Sequence, residues 1–182
     1  MINEILDLAK IEAGQMKLER RPSHLADIVA DVLQTSQILT KDKPVIIHAI
    51  DMPDMPPVYG DAVRIRQIIL NLLSNAAKFT EHGEIIVSYG LEDEHTAFVK
   101  VTDTGIGMSP EDLSVIFQRF EQVDGSSTRR AGGTGLGLNI TRHLIQMHEG
   151  EIYVESELGK GSSFWFTLPV YVTEESRTLE AK

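Results

Sequence analysis

Between Asp103 and Leu138 the chain carries two glycine clusters, Asp103-Thr104-Gly105-Ile106-Gly107 and Gly132-Gly133-Thr134-Gly135-Leu136-Gly137-Leu138. An acidic, aromatic segment around Phe117 and Phe120 and then a polar, basic one separate them. Glycine alone accepts positive φ without strain and presents no Cβ, so six glycines grouped in this way mark backbone built to approach a ligand closely. A phosphate-bearing ligand is the first class to test. The common phosphate patterns do not fit. Gly159-Lys160-Gly161 fails the P-loop pattern at both ends, and Pro110 stands where a dinucleotide-binding fingerprint needs its third glycine.

The ligand has to be bound locally rather than by bulk charge. With 27 acidic against 17 basic residues the formal net charge is -10, which works against general binding of nucleic acid or anionic membranes. Absence of cysteine excludes a disulfide framework, cysteine-ligated zinc and a thiol nucleophile. No apolar run approaches the roughly 20 residues of a spanning helix, and the first residues lack a signal-peptide pattern. The expectation is a soluble, cytoplasmic chain. Its 182 residues are enough for one packed domain with a short appended element.

Periodicity assigns the elements. Ile2, Ile5, Leu6, Ala9 and Ala13 form a helical stripe that Gly14 ends, and so short a helix needs a partner helix, as in a dimer, or is the end of a longer one. Met16 to Glu19 alternates like a short strand, and Pro22-Ser23 opens a second helix through about Leu39 that buries Leu25, Ile28, Val29, Val32 and Leu33. Val45 to Ile50 reads as a strand. Asp61 caps a long helix to about Lys78, with Ile65, Ile68, Ile69, Leu72, Leu73 and Ala76 on its buried face. Strands follow at 84–91 and 96–102, the second leading directly into Asp103. Ser109-Pro110-Glu111-Asp112 is a helix start, with the helix running through Phe117. Residues 121–131 read as a lid-like loop, 137–148 as a helix, 152–156 and 163–168 as a strand pair, and 173–182 as a frayed tail.

Three groups of residues then carry the chemistry. Asn71, Asn75 and Lys78, spaced by four and three, share a helical face. An asparagine oxygen is an acceptable ligand for magnesium, which completes its octahedron with waters and phosphates. Asp103, if buried, can accept a hydrogen bond from an exocyclic amine, which favours adenine over guanine. The second cluster leads into a helix whose first N–H groups and dipole suit phosphate. Together these groups specify MgATP.

These motifs closely resemble the catalytic, ATP-binding domain of sensor histidine kinases, in the superfamily shared with gyrase, Hsp90 and MutL. The resemblance is carried by Asn71-Leu72-Leu73-Ser74-Asn75-Ala76-Ala77-Lys78-Phe79-Thr80, by the two glycine clusters, by Phe117-Gln118-Arg119-Phe120-Glu121-Gln122 and by Gly159 to Pro169. It implies a two-layer α/β sandwich, the Bergerat ATP-binding fold, with a mixed sheet packed on three helices. In the family pattern Asn71 and Asn75 would hold magnesium and phosphate oxygens, Lys78 would reach phosphate, and Phe79 would pack beside the base. Asp103 would receive the adenine amine, flanked by Gly105, Ile106 and Gly107. Gly133, Thr134, Gly135, Leu136, Gly137 and Leu138 would meet the phosphates. Phe117 and Phe120 read as lid anchors, with core residues at helical spacing as the plainer alternative. The γ-phosphate would pass to a histidine on a dimerisation domain and then to an aspartate of a response-regulator receiver domain, in a homodimeric full-length protein. Residues 1–14 resemble the end of that domain's second helix, residues 15–172 the catalytic domain. None of the six histidines has the flanking sequence of the acceptor. The expectation is a chain that binds ATP and lacks its own phosphoacceptor.

Each residue has a plainer reading. Asn71 alone is an ordinary polar helix residue, Asp103 a turn residue, Lys78 a cation offsetting a helix dipole, and Arg129 and Arg130 solvated charges as readily as phosphate contacts. The histidines show no metal-ligand spacing, since His143 and His148 at i, i+5 do not share a face well. Two rival functions remain, an ATP hydrolase of the gyrase or Hsp90 kind and a nucleotide-binding module without catalysis. The first would carry an acid at the position of Asn71.

Overall fold

The computed structural model describes residues 2–50, 54–117 and 135–172. In chain order these form α1 (Ile2–Glu12), β1 (Arg21–Ser23), α2 (Leu25–Ser36), β2 (Val45–Ala49), β3 (Val58–Gly60), α3 (Ala62–Phe79), β4 (Gly83–Leu91), β5 (Thr96–Asp103), α4 (Pro110–Leu113), α5 (Gly137–Met147), β6 (Ile152–Glu157) and β7 (Gly161–Pro169). The main sheet has the order β2-β4-β5-β7-β6. Its β2 and β4 run parallel and the other pairs antiparallel, so it is mixed, as expected. Helices α2, α3 and α5 form the second layer, and a single core joins the two.

Alternation sets the sheet's inner face. Along β5 the residues Ala97, Val99, Val101 and Asp103 are buried and the residues between them half-exposed, the period-2 pattern of a strand covered on one side. Facing them, Ile65, Ile68, Ile69, Leu72, Leu73 and Ala76 of α3 are all buried, together with Ala77. Each fully buried Ile or Leu contributes roughly 1.5–3 kcal/mol, so α3 is the helix the core cannot lose. Asp61 starts it, its Oδ1 accepting from the Val63 and Arg64 N–H groups at 3.0 and 3.2 Å.

Three expectations need correction. Met16 to Glu19 is not a strand, because its amides are used elsewhere. The Gln15 and Met16 N–H groups both turn back to the Lys10 carbonyl, and Glu19 N–H donates to Asp61 Oδ2 at 3.0 Å. The short strand lies two residues on, at Arg21–Ser23, where it pairs antiparallel with β3. Ser23 belongs to that strand and its hydroxyl donates to the Arg21 carbonyl. The cap position of α2 is His24, and the helix passes into a 3-10 turn at Gln37–Thr40. The helix opened by Ser109 spans only Pro110–Leu113, although its reciprocal capping box with Asp112 is formed as the sequence implies. Among the described residues no helix is long and apolar enough to cross a membrane. The proposed lid at 121–131, Arg129, Arg130, Phe120, Gly132, Gly133, Thr134 and the tail at 173–182 lie outside the described residues.

Candidate ATP-binding site

Two glycines without room for a Cβ define the site. A Cβ on Gly137, the first residue of α5, would lie 2.6 Å from Asn71 Oδ1 and 3.0 Å from its Nδ2. Of the three residues on the α3 face read from the sequence, Asn71 is thus the one that meets the start of α5. Asn71 Nδ2 also donates to Thr141 Oγ1 at 2.6 Å, one turn beyond Gly137. Asn75 and Lys78 are half-buried further along α3. The cap position of α5 is held by Leu136, whose buried apolar side chain cannot itself accept a hydrogen bond from the first-turn amides. Gly135 before it has φ +68, the left-handed conformation that glycine adopts without strain.

The second tight approach joins the first glycine cluster to the end of α3. A Cβ on Gly105 would lie 2.5 Å from the Phe79 carbonyl oxygen, which also accepts from Ile106 N–H at 3.2 Å. Asp103 is 7% exposed, and its Oδ1 accepts from Gly105 N–H at 2.8 Å. Burial raises its pKa, and the backbone N–H groups of Gly105 and Ser162 offset this in part by favouring the ionised form. Gly107, at φ +65, lies against the backbone of Glu157 and Leu158, so Asp103, Gly105, Ile106 and Gly107 form one closely packed floor.

Lys78 is the basic residue in the last turn of α3, where a cation offsets the helix dipole. The carbonyls at that end are bonded by Lys43, whose ammonium donates to those of Ala77 at 2.9 Å, Lys78 at 3.4 Å and Thr80 at 3.1 Å. The Lys78 Nζ lies 4.9 Å from the centroid of the Phe79 ring, and burial lowers its pKa. Phe117 is held by α5, its carbonyl accepting from Asn139 Nδ2 at 3.3 Å and its ring lying 5.8 Å from the Arg142 guanidinium carbon. Thr141, Asn139, Arg142 and Lys43 are the contributors that sequence reasoning missed. The i, i+4 relation between Gly137 and Thr141 was the signal available for one of them.

The opposite end of the α3–α5 pair is built differently. There Asp61 N–H donates to the His148 Nε2 at 3.0 Å, and the His148 Nδ1 faces the Leu144 carbonyl at 2.7 Å. The ring is thus neutral, with its proton on Nδ1. Arg20 donates to the Met147 carbonyl and to Glu149 Oε1. A cavity of about 670 Å3 lies here, lined by residues 17–21 with Tyr59 and Met147. It has no buried carboxylate and no glycine cradle, so size alone does not make it the nucleotide site.

A two-layer α/β fold with a buried carboxylate at a strand end, and Asn71 meeting a glycine-started helix, defines the class. The chain belongs to the histidine kinase-, DNA gyrase B- and HSP90-like ATPase family, whose model matches residues 60–172. Among individual proteins it is 43% identical over 182 residues to the sensor protein GacS of Pseudomonas syringae pv. syringae, covering 97% of this chain and 20% of that protein. It is 42% identical over 177 residues to the autoinducer 2 sensor kinase/phosphatase LuxQ of Vibrio vulnificus, covering 93% of this chain and 20% of that one. The chain spans about a fifth of the length of these curated relatives. Full-length ShkA, crystallised in complex with AMPPNP, superposes with a TM-score of 0.85 at 31% identity, over 94% of this chain and 35% of ShkA.

Proposed function

We propose that this chain is the ATP-binding catalytic module of a two-component sensor histidine kinase, working on the cytoplasmic side. In this reading it directs the γ-phosphate of MgATP to a histidine on a dimerisation domain. A response-regulator aspartate is the next acceptor and the full-length protein a homodimer. The observation that carries the reading is the meeting of Asn71 with the first turn of α5 across Gly137, where a side chain would block the approach. The described residues offer no group of three His, Cys, Asp or Glu side chains that could hold a metal ion. In this reading magnesium takes amide oxygen from Asn71 and Asn75 together with phosphate and water, a ligand set it accepts readily.

Within the reading each residue has a task. Asp103 accepts the exocyclic amine of adenine, and Gly105, Ile106 and Gly107 form the floor against the base, with Phe79 at its edge. Lys78, whose ammonium makes none of the bonds to the α3 end that Lys43 makes, extends it to phosphate oxygens. Gly135, Leu136, Gly137 and Leu138 present backbone to the phosphates, and Gly133, Thr134 and Phe120 complete that side. Bound magnesium would offset the charge that develops on the transferring phosphoryl group, and the chain's own contribution is positioning and electrostatics. Residues 1–14, with α1 packed by an Asp7–Arg64 ion pair at 3.1 Å, are read as the end of the dimerisation domain. The test is titration with AMPPNP, with and without magnesium, comparing the chain with Asp103→Ala. Weaker binding of the variant to adenine nucleotides supports the assignment, and equal affinity removes it. Phosphotransfer to a histidine-bearing dimerisation domain supplied separately tests the second half.

A further inference from the structure

The Asn71 side chain meets two different features of one turn of α5. Gly137 leaves it space, and Thr141, four residues on and so on the same helical face, takes its amide hydrogen. Thr141 is 2% exposed. A primary amide has one oxygen and one nitrogen that look alike in shape and differ wholly in what they bind: the oxygen accepts or ligates, the nitrogen only donates. A hydroxyl can accept or donate, and here it accepts from the nitrogen, which leaves the oxygen to face elsewhere.

We infer that Thr141 is a positioning residue for the Asn71 amide, holding Nδ2 against its hydroxyl so that Oδ1 is turned toward Gly137 and the phosphate side as a magnesium ligand. The inference rests on the reading of Asn71 given above. With Nδ2 engaged at 2.6 Å, the planar amide leaves Oδ1 as the atom nearest the space that a Gly137 Cβ would fill. A side chain free to turn would present nitrogen for part of the time, and an N–H group directed at a dication is repulsive. Partners of this kind, which orient a ligand without touching the metal, typically change metal affinity by about 10–100-fold when removed. The hydroxyl also has a place in the sequence that no apolar stripe explains. It interrupts the buried face made by Ile140, Leu144 and Ile145.

The experiment measures AMPPNP affinity by calorimetry in magnesium and in EDTA for the unmodified chain, Thr141→Val, Thr141→Ser and Asn71→Ala. The quantity read is the ratio of the two affinities. Thr141→Val should keep the EDTA affinity and lower the ratio about tenfold, and Thr141→Ser should restore it. If Thr141→Val fails to fold, Thr141→Ala, smaller and equally without a hydroxyl, gives the same reading. An unchanged ratio in Thr141→Val beside a collapsed one in Asn71→Ala overturns the positioning role and leaves Asn71 as the ligand. Equal losses in magnesium and EDTA would mean that the amide nitrogen faces the nucleotide, and also overturn it. An unchanged ratio in Asn71→Ala removes the metal assignment of Asn71 and this inference with it.

Discussion

The two ends of the α3–α5 pair are made of similar residues used in opposite ways. At the end where α3 begins, Asp61 bonds His148, the Glu19 N–H and the first turn of α3, and Arg20 bonds the end of α5, so these groups are taken up by other parts of the protein. At the end where α5 begins, Asn71 is held against Gly137 and Thr141, and the Asp103 carboxylate against the Gly105 N–H. The contrast teaches that polar residues on helices do not reveal their purpose by type. The Asp61 carboxylate that caps a helix and the Asp103 carboxylate that closes a strand differ in what surrounds them. Fixing one end tightly also lets the other keep geometry while leaving chemistry exposed.

Substitutions can break this contrast, and their effects on folding should fall in a definite order. The largest is Gly150→Ala, just beyond α5, where a Cβ would fall on the Thr167 carbonyl oxygen. Backbone cannot yield as a side chain can, so about 3 kcal/mol of stability should be lost in urea unfolding. Next, Asp61→Ala removes the acceptor of Val63, Arg64 and Glu19 N–H groups and should lower stability by about 2 kcal/mol. AMPPNP affinity of the folded protein should stay unchanged, and a parallel loss would show that the two ends are not separable.

A smaller effect comes from pH. Burial, aided by Arg20 and opposed by the Leu144 carbonyl and Asp61, lowers the His148 pKa below its ordinary 6.5. The unfolded chain then takes up the proton first. Stability from this group is complete above pH 6.5 and declines as pH falls from there through the native pKa. The slope is at most about 1.4 kcal/mol per pH unit, and His148→Gln should remove it from the stability profile. The smallest effect on folding belongs to Gly137→Ala, because the Cβ meets a side chain rather than backbone, and displacing Asn71 gives up no more than its hydrogen bond to Thr141. Stability should change by less than about 1 kcal/mol, while AMPPNP binding in magnesium falls by more than in any other variant of this series.

The anchored end was the less legible of the two in the sequence. Asp61 was readable as a cap because capping is local, and the buried face of α3 was readable because it repeats. His148 was dismissed as a metal ligand without a role being found, since its partner lies 87 residues away. The pairing of β1 with β3 was missed for a related reason. Three residues with Pro22 in the middle carry no periodicity, whereas Met16 to Glu19 alternates and yet has no strand beside it. At the ligand end the glycines were legible because close approach leaves glycine as the usual solution. Thr141 was hidden because a threonine on an apolar helical face resembles a tolerated core residue, and Lys43 because nothing local predicts which helix end a loop cation will reach.

Asp103 occupies the last inward position of β5, after Ala97, Val99 and Val101, and stands opposite Ile85 and Ser162 in the ladder. The carboxylate is thus specified by the same two-residue rhythm that builds the core. A slip of one residue in this strand would turn Asp103 to solvent and three apolar side chains with it. The position of the carboxylate and the integrity of the sheet are therefore one requirement, since a register fault that displaces Asp103 also exposes Ala97, Val99 and Val101.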